Sequence, residues 1–387
     1  MAGYYLPSVK GGGPIQSIRN LVDNFGDEID FYILAADRDL GDEKPFKSVI
    51  VDKWTKVEKA LVYYTDMSYL NWKKIENIIK DIQCNILYLN SFFAYKDSIL
   101  PILLYKYNRN FNMKVILAPR GQFSKGALGL KSWKKRIFIN LGMLFNLYKK
   151  IYWHATTIME KEDIECIFGK EIEVFTANNL TPNYRNIQCT KSLSKNVGEL
   201  KLVYIARIHP MKNLLQTLEI LQRVEGIIEF NIYGPIEDKS YWNKCQLAIN
   251  KLNQNIKVNY MGQIANEQVN AVYNEHHVAI LLTLGENFGH SIAEALIGGC
   301  PVIISDRTPW KNLKNYGVGY DISLEKDNLV VEAIHNYTKM DNYEYELISR
   351  NAFDYAKNNS NTKENLDSYY EMFEIRNNNI SGWGNSI

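Results

Sequence analysis

The chain lacks the features that mark several large protein classes. Its five cysteines (Cys84, Cys166, Cys189, Cys245, Cys300) form no CxxC pair and have no histidine at ligand spacing, which argues against a disulfide framework and a structural zinc site. A reducing, cytoplasmic setting is expected. No run approaches the roughly 18 apolar residues of a membrane-spanning helix. The opening MAGYYLPSVKGGGP has no basic stretch leading into an apolar one, so no secretory signal is expected either. A G-x-G-x-x-G dinucleotide fingerprint is missing, because Gln16 stands where the third glycine belongs. Acidic residues are absent between Ser98 and Met159, a stretch that holds eleven of the 45 basic residues (Lys106, Arg109, Lys114, Arg120, Lys125, Lys131, Lys134, Lys135, Arg136, Lys149, Lys150). One face of one domain is therefore expected to be strongly positive, although the formal net charge is only +2.

With 387 residues, 46% hydrophobic and 23% charged, the chain is long enough for two domains that each bury a core. Short apolar runs alternate with amphipathic segments, the pattern of βα units wound into parallel sheets. Strands are expected at Ala2–Leu6, Phe31–Ala35, Ile86–Leu89, Val115–Ala118, Ile151–Thr156 and Ile172–Thr176, then at Leu202–Ile205, Glu229–Tyr233, Val258–Met261, Val278–Leu282 and Pro301–Ser305. Helical patterns run over Ile15–Asn24, Trp133–Tyr148 and Lys363–Ile375. The polar, non-periodic stretch 185–199 reads as a hinge, which puts one α/β domain at 1–190 and a second at 195–360. The tail RNNNISGWGNSI reads as frayed. Ligands of doubly wound sheets bind beyond the carboxyl ends of the strands, and two such sheets facing each other form a cleft.

Three clusters fall at such strand ends. In KGGGPIQSIRN (Lys10–Asn20), three consecutive glycines allow close backbone approach, and Pro14 suits a first helical turn whose free N–H groups attract anions. The loop is either a phosphate turn or a plain tight turn. YIARIHPMKN places Arg207 and Lys212 five residues apart at a helix start, where cations oppose the helix dipole unless an anion sits between them. In GENFGHSIAEALIGGCPVIISD, a helix beginning near Gly289 or His290 would present further N–H groups to the same anion. Glu294, one turn inside it, can accept bonds from a ribose diol, and Glu286 can reach sugar hydroxyls beyond the phosphates. Two acceptor-only side chains flanking an anion-binding turn fit a nucleotide sugar.

With these residues in view, the chain resembles glycosyltransferase family 4, retaining enzymes of the GT-B fold. The resemblance rests on GGGP, APRGQFSKGALGLKSWKKR, HATTIMEKEDI, ARIHPMKN, YGPIED and TLGENFGHSIAEALIGGCPVIISDRTPW, and is strongest to the subgroup that assembles bacterial capsule or lipopolysaccharide. It implies two Rossmann-like domains facing across a cleft, with a C-terminal helix at about 361–377 crossing back to the first. It implies that Arg207 and Lys212 neutralise the leaving diphosphate, that Glu294 binds ribose and Glu286 the donor sugar, and that Gly12 and Gly13 lie near the diphosphate. Arg207, Lys212 and Glu286 are thus the catalytic candidates. Asn287, Phe288, Gly289, His290, Gly234 and Gly262 join the donor side, while Arg120, His154 and Lys10 are acceptor-side candidates. No metal or other cofactor is implied. Where many relatives have histidine in a PHG element, this chain has Arg120. The first strand is also expected to be shorter than in relatives.

Other signals carry less. Asp37–Asp39 reads DRD, the pattern of metal-dependent transferases, but three residues match often by chance, and no metal role is assigned. His276 and His277 are expected on a helix surface. The acid-free stretch fits a solvated face, a nucleic-acid surface or an anionic-lipid surface. No nucleic-acid motif accompanies the charge, and LKSWKKRIFINLGMLFNLYKK mixes bulky apolar and basic residues as interfacial helices do. The expected partners are a nucleotide-diphosphate sugar, a lipid-linked saccharide acceptor and an anionic membrane surface, with peripheral attachment at the inner face of the cytoplasmic membrane. An epimerase or hydrolase of the same fold, and a sugar-binding protein without catalysis, are the alternatives.

Overall fold

A computed structural model describes residues 1–108, 111–124, 132–184, 188–189 and 191–375. Arg109, Lys125 and Lys131 of the basic stretch, part of the expected hinge, and the tail from Arg376 lie outside the described residues. The chain divides into two compact units, Met1–Asn183 with Asn361–Ile387, and Tyr184–Ser360. The expected α/β class is observed in both.

In the first unit β1 (Phe31–Ala36), β2 (Trp54–Val57) and β3 (Ala60–Thr65) form a sheet in the order β1-β3-β2. The antiparallel β2–β3 hairpin was not expected from sequence. Its turn puts Glu58 at φ 52°, where Asn-Gly is the usual signal. A second sheet, all parallel, holds β4 (Ile86–Leu89), β5 (Lys114–Leu117), β6 (Tyr152–Ala155) and β7 (Val174–Thr176) in sequence order. The expected strand Ala2–Leu6 is not one. Only Met1–Gly3 pair with both neighbouring sheets: the Ala2 N–H donates to the Leu34 carbonyl, the Ala36 N–H to Gly3 and the Asn90 N–H to Met1, at 3.1–3.2 Å. The chain then turns at Tyr5–Ser8, where Pro7 has no N–H to extend a ladder.

Helix Lys363–Phe373 belongs to the first unit. Its Tyr369, Met372 and Phe373 pack against Leu21, Phe25 and Ile116, and the Phe25 ring lies 5.6 Å from that of Tyr369.

The second unit is one parallel sheet of β8 (Glu199–Ile205), β9 (Ile227–Tyr233), β10 (Ile256–Gly262), β11 (Val278–Leu281), β12 (Val302–Ser305) and β13 (Gly319–Ile322), ordered β10-β9-β8-β11-β12-β13. β11 (VAIL) and β12 (VIIS) are buried throughout, as continuous apolar strands covered on both faces should be. The passage between units falls at Asn183 and Tyr184, ahead of the expected hinge. Tyr184 joins the second core, and the Lys191 ammonium donates to the carbonyls of Tyr273 and His276 at 3.0 and 2.5 Å.

Candidate active site

Counted from β8, the second sheet runs 3-2-1-4-5-6, so the chain leaves the central pair β8 and β11 in opposite directions. Loops after such a pair diverge and leave a crevice at the carboxyl edge. Arg207 and Lys212 leave β8 there, and Glu286 to His290 leave β11.

Backbone bonds hold both loops. The Ile208 N–H donates to the Pro235 carbonyl at 2.9 Å, and Pro210–Lys212 is a single 3₁₀ turn capped by His209, whose Nδ1 accepts the Met211 N–H at 3.2 Å. The Met211 carbonyl ties the loops together by accepting from Thr283 Oγ1 and the Leu284 N–H, both at 2.9 Å. Across this junction the Lys212 ammonium pairs with the Glu286 carboxylate. Their side chains keep only 18% and 13% of their surface exposed, so each charge depends on the other. Arg207 pairs with Glu237 at 2.7 Å in a more open setting. Among the described residues each cation therefore has a carboxylate partner, and an incoming anion must compete with it.

Gly289 begins the adjoining helix His290–Ile297 in a left-handed conformation, φ 84°. A Cβ there would lie 2.8 Å from Ile292 Cδ1. Trp310 Nε1–H donates to the Phe288 carbonyl at 2.6 Å and fixes the turn. Within the helix, Ile292, Ala293, Ala295, Leu296 and Ile297 are buried, while His290, Ser291 and Glu294 keep part of their surface open. These three fall within about 100° of the helix circumference. The first turn carries no acidic residue, so its N–H groups can take an anion. Gly234 and Gly262 are glycines for backbone reasons. A Cβ on Gly234 would sit 2.0 Å from the Ala206 carbonyl oxygen, and Gly262 lies at a register shift with φ 77°.

The remaining site residues belong to the first unit. Gly12 caps helix Gly13–Phe25 at φ 66°. The loop before it is organised by Asp39, whose buried carboxylate accepts from Ser8 Oγ at 2.6 Å and the N–H groups of Val9 and Leu40 at 3.0 and 2.8 Å. Burial opposes ionisation of Asp39, but these donors outweigh it and hold its pKa below the usual value. Half of the DRD pattern is thus a loop clamp. Asp37 pairs with Arg38 at 2.7 Å, and the Lys10 ammonium with Asp42.

Arg120, at φ 57°, spreads its guanidinium over Asn90 (2.6 Å), Asn179 (2.5 Å) and the Tyr88 hydroxyl (2.9 Å). Tyr88 in turn donates to His154 Nδ1 at 2.6 Å, and His154 Nε2–H donates to the Ala177 carbonyl at 2.8 Å. His154 is fully buried with both nitrogens engaged, and it orients the Tyr88 hydroxyl beside Arg120 from inside the core. Buried Glu160 accepts the Gly121 N–H at 2.5 Å and Thr156 Oγ1 at 2.6 Å, fixing the loop that carries Arg120.

His276 and His277, expected on a surface, are also buried. His276 Nδ1–H donates to Val272, and His277 Nδ1 accepts the Lys201 N–H at 2.9 Å. Burial, reinforced by Arg120, pushes the His154 pKa down to about 3. Burial lowers His277 to about 4 and His276 below its usual value. The folded chain thus refuses protons that the unfolded chain accepts near pH 6.5. Stability should be complete above that pH and fall as pH drops towards 4, by up to roughly 1.4 kcal/mol per pH unit for each histidine. Urea midpoints at pH 7, 5.5 and 4.5 test this; a flat profile would contradict neutral, buried histidines.

Residues 188–351 match the family model described as Glycosyl transferases group 1. That stretch holds Arg207, Lys212, Glu286 and Glu294. No match is found among curated proteins. Among solved structures, the chain is similar to sucrose-phosphate synthase from Thermosynechococcus elongatus (13% identity, 94% of this chain and 93% of that one, TM-score 0.69). It is also similar to HepE of Anabaena in complex with UDP and glucose (13% identity, 96% and 99%, TM-score 0.66), and to the lipopolysaccharide outer core galactosyltransferase WaaB (13% identity, 96% and 98%, TM-score 0.60). At this identity the likeness shows the fold, which is the expected GT-B class.

Residues that sequence reading missed are those acting through backbone: Met211, Thr283, Trp310, Asp39 and Glu160. Each lies within a motif quoted above, Thr283 and Trp310 at the two ends of the longest, but the motif gave no sign of the bond that each makes.

Proposed function

We propose that the chain is a retaining, family 4 glycosyltransferase that moves a hexosyl residue from a nucleotide-diphosphate sugar to a lipid-linked or oligosaccharide acceptor in cell-surface polysaccharide synthesis, of the O-antigen or capsule kind. The observation that supports this most is that Arg207, the Lys212–Glu286 pair and the N-terminus of helix His290–Ile297 all follow the two strands at the switch point of the second sheet. As the glycosidic carbon–oxygen bond of the donor breaks, negative charge builds on the departing diphosphate. Fixed cations and oriented N–H groups lower the barrier to that step, so the chemistry asks for no metal ion. A diphosphate that draws Lys212 towards itself frees Glu286 to accept hydroxyls of the transferred sugar, while Glu294 is placed to take the ribose diol. UDP bound in HepE and the galactosyltransferase activity in the name of WaaB support this donor class. A lipid-linked acceptor would bring the enzyme to the inner face of the cytoplasmic membrane.

The test is thermal stabilisation by a panel of UDP, GDP and ADP sugars, followed by transfer assays with the sugar that binds. A ligand at 100 times its Kd adds about 2.7 kcal/mol of apparent stability, a shift of several degrees. If no nucleotide sugar stabilises the wild-type chain, or if one stabilises the Lys212→Ala chain equally, the assignment fails.

A further inference from the structure

We propose that helix Ser132–Leu144 and the turn after it form a docking surface for an anionic lipid bilayer, with an apolar ridge that enters the headgroup region and cations around it that hold the lipid charge. This does not rest on the donor chemistry above. The structure separates the apolar residues of this segment into those that face the core and those that face outside. Ile139 is buried, and Gly142 is packed so closely on Tyr148 that a Cβ would lie 2.6 Å from its ring. On the opposite side Trp133, Ile137, Leu141 and Leu144 expose between 47% and 73% of their surface, and Phe145 just beyond falls in the same range. At 100° per residue the four helical positions lie within about 80° of one another. They form one ridge, nearly opposite Ile139 and Gly142.

The charges say what covers it. Lys134 lies 5.4 Å above the Trp133 ring, Lys106 donates to the Phe145 carbonyl, and Arg136, Lys149 and Lys150 are exposed beside them. The sequence contains no acidic residue from Ser98 to Met159 to oppose them. A second copy of the chain on this face would bring like charge against like. Nucleic acid would satisfy the cations but leave the ridge in water. A bilayer with anionic headgroups offers charge at the surface and hydrocarbon just below it, the layering seen here. At about 20 Å the helix is too short to span a membrane, so it lies in the interface.

The experiment is co-sedimentation of the full chain with vesicles of phosphatidylcholine alone or with one quarter phosphatidylglycerol, at low and physiological salt. Binding is expected to the anionic vesicles and to weaken with salt. Leu141→Glu with Leu144→Glu should reduce it at least tenfold, and neutralising Lys134 or Lys149 to Gln roughly fivefold each. All four side chains are outside the core, and circular dichroism with nucleotide-sugar binding verifies that each variant is folded. No binding by the wild-type chain, or equal binding by the ridge variant, overturns the proposal. So does a dimer that the ridge variant dissociates while vesicles leave the wild-type chain in solution.

Discussion

Alanine at Lys212 is expected to lower transfer from the nucleotide sugar by roughly 100-fold or more, the scale seen when a single preorganised donor to developing negative charge is removed. The charge on the diphosphate grows only as its bond to the sugar breaks, so kcat should fall more than KM rises. A second effect acts in the same direction. Lys212 and Glu286 neutralise each other in a mostly buried pair, and removing the ammonium leaves a carboxylate facing the incoming phosphates. The double variant Lys212→Ala, Glu286→Gln should therefore bind donor better than Lys212→Ala alone, a coupling that a double-mutant cycle measures. Arg207→Ala is expected to fall in the same direction by less, because its pair with Glu237 is open to solvent and screened. Wild-type kcat in folded Lys212→Ala would remove the central role of this cation.

What could be read from sequence was what periodicity and strand-end position encode. The apolar-rich runs Val278–Leu282 and Pro301–Ser305 marked strands of a parallel sheet, and Gly289 before an apolar-periodic segment marked a helix start. Arg207 and Lys212 stood out because cations at a helix start need a reason. The rest was hidden because side-chain chemistry does not reveal its partner. Asp39 read as half of a metal-type pattern and Glu160 as an ordinary acid, yet each accepts from a loop N–H group 30 or more residues away. His276 and His277 looked like surface because the groups that bury them, Asn231 and the Lys201 amide, come from strands far earlier in the chain. The β2–β3 hairpin was missed because a glutamate holds the left-handed position of its turn, a conformation uncommon for that residue. The apolar ridge was visible as composition, but only the backbone decides which side of the helix faces the core.

Gly234→Ala is expected to destabilise the second unit by roughly 3 kcal/mol or more, or to prevent its folding, because strain and steric overlap act together. The residue sits at φ 136°, a region essentially closed to residues with a Cβ. The added carbon would lie 2.0 Å from the Ala206 carbonyl oxygen and 2.7 Å from its carbon. Both are backbone atoms, so no rotamer change relieves the contact. Ala206 cannot retreat freely, since its N–H donates to the Tyr233 carbonyl at 3.1 Å, and it directly precedes Arg207. The substitution should therefore displace the guanidinium as well as weaken the fold. Gly262→Ala is the control. It too has a positive φ, 77°, but nothing lies within 4 Å of the added carbon, so it should cost only about 1–2 kcal/mol of left-handed strain. Urea midpoints and nucleotide-sugar titrations of the two variants separate the cases. Equal losses would mean that the close approach at Gly234 is not what shapes the Arg207 loop, whereas a stable Gly262→Ala chain that no longer binds donor would make Gly262 a ligand contact rather than a bulge.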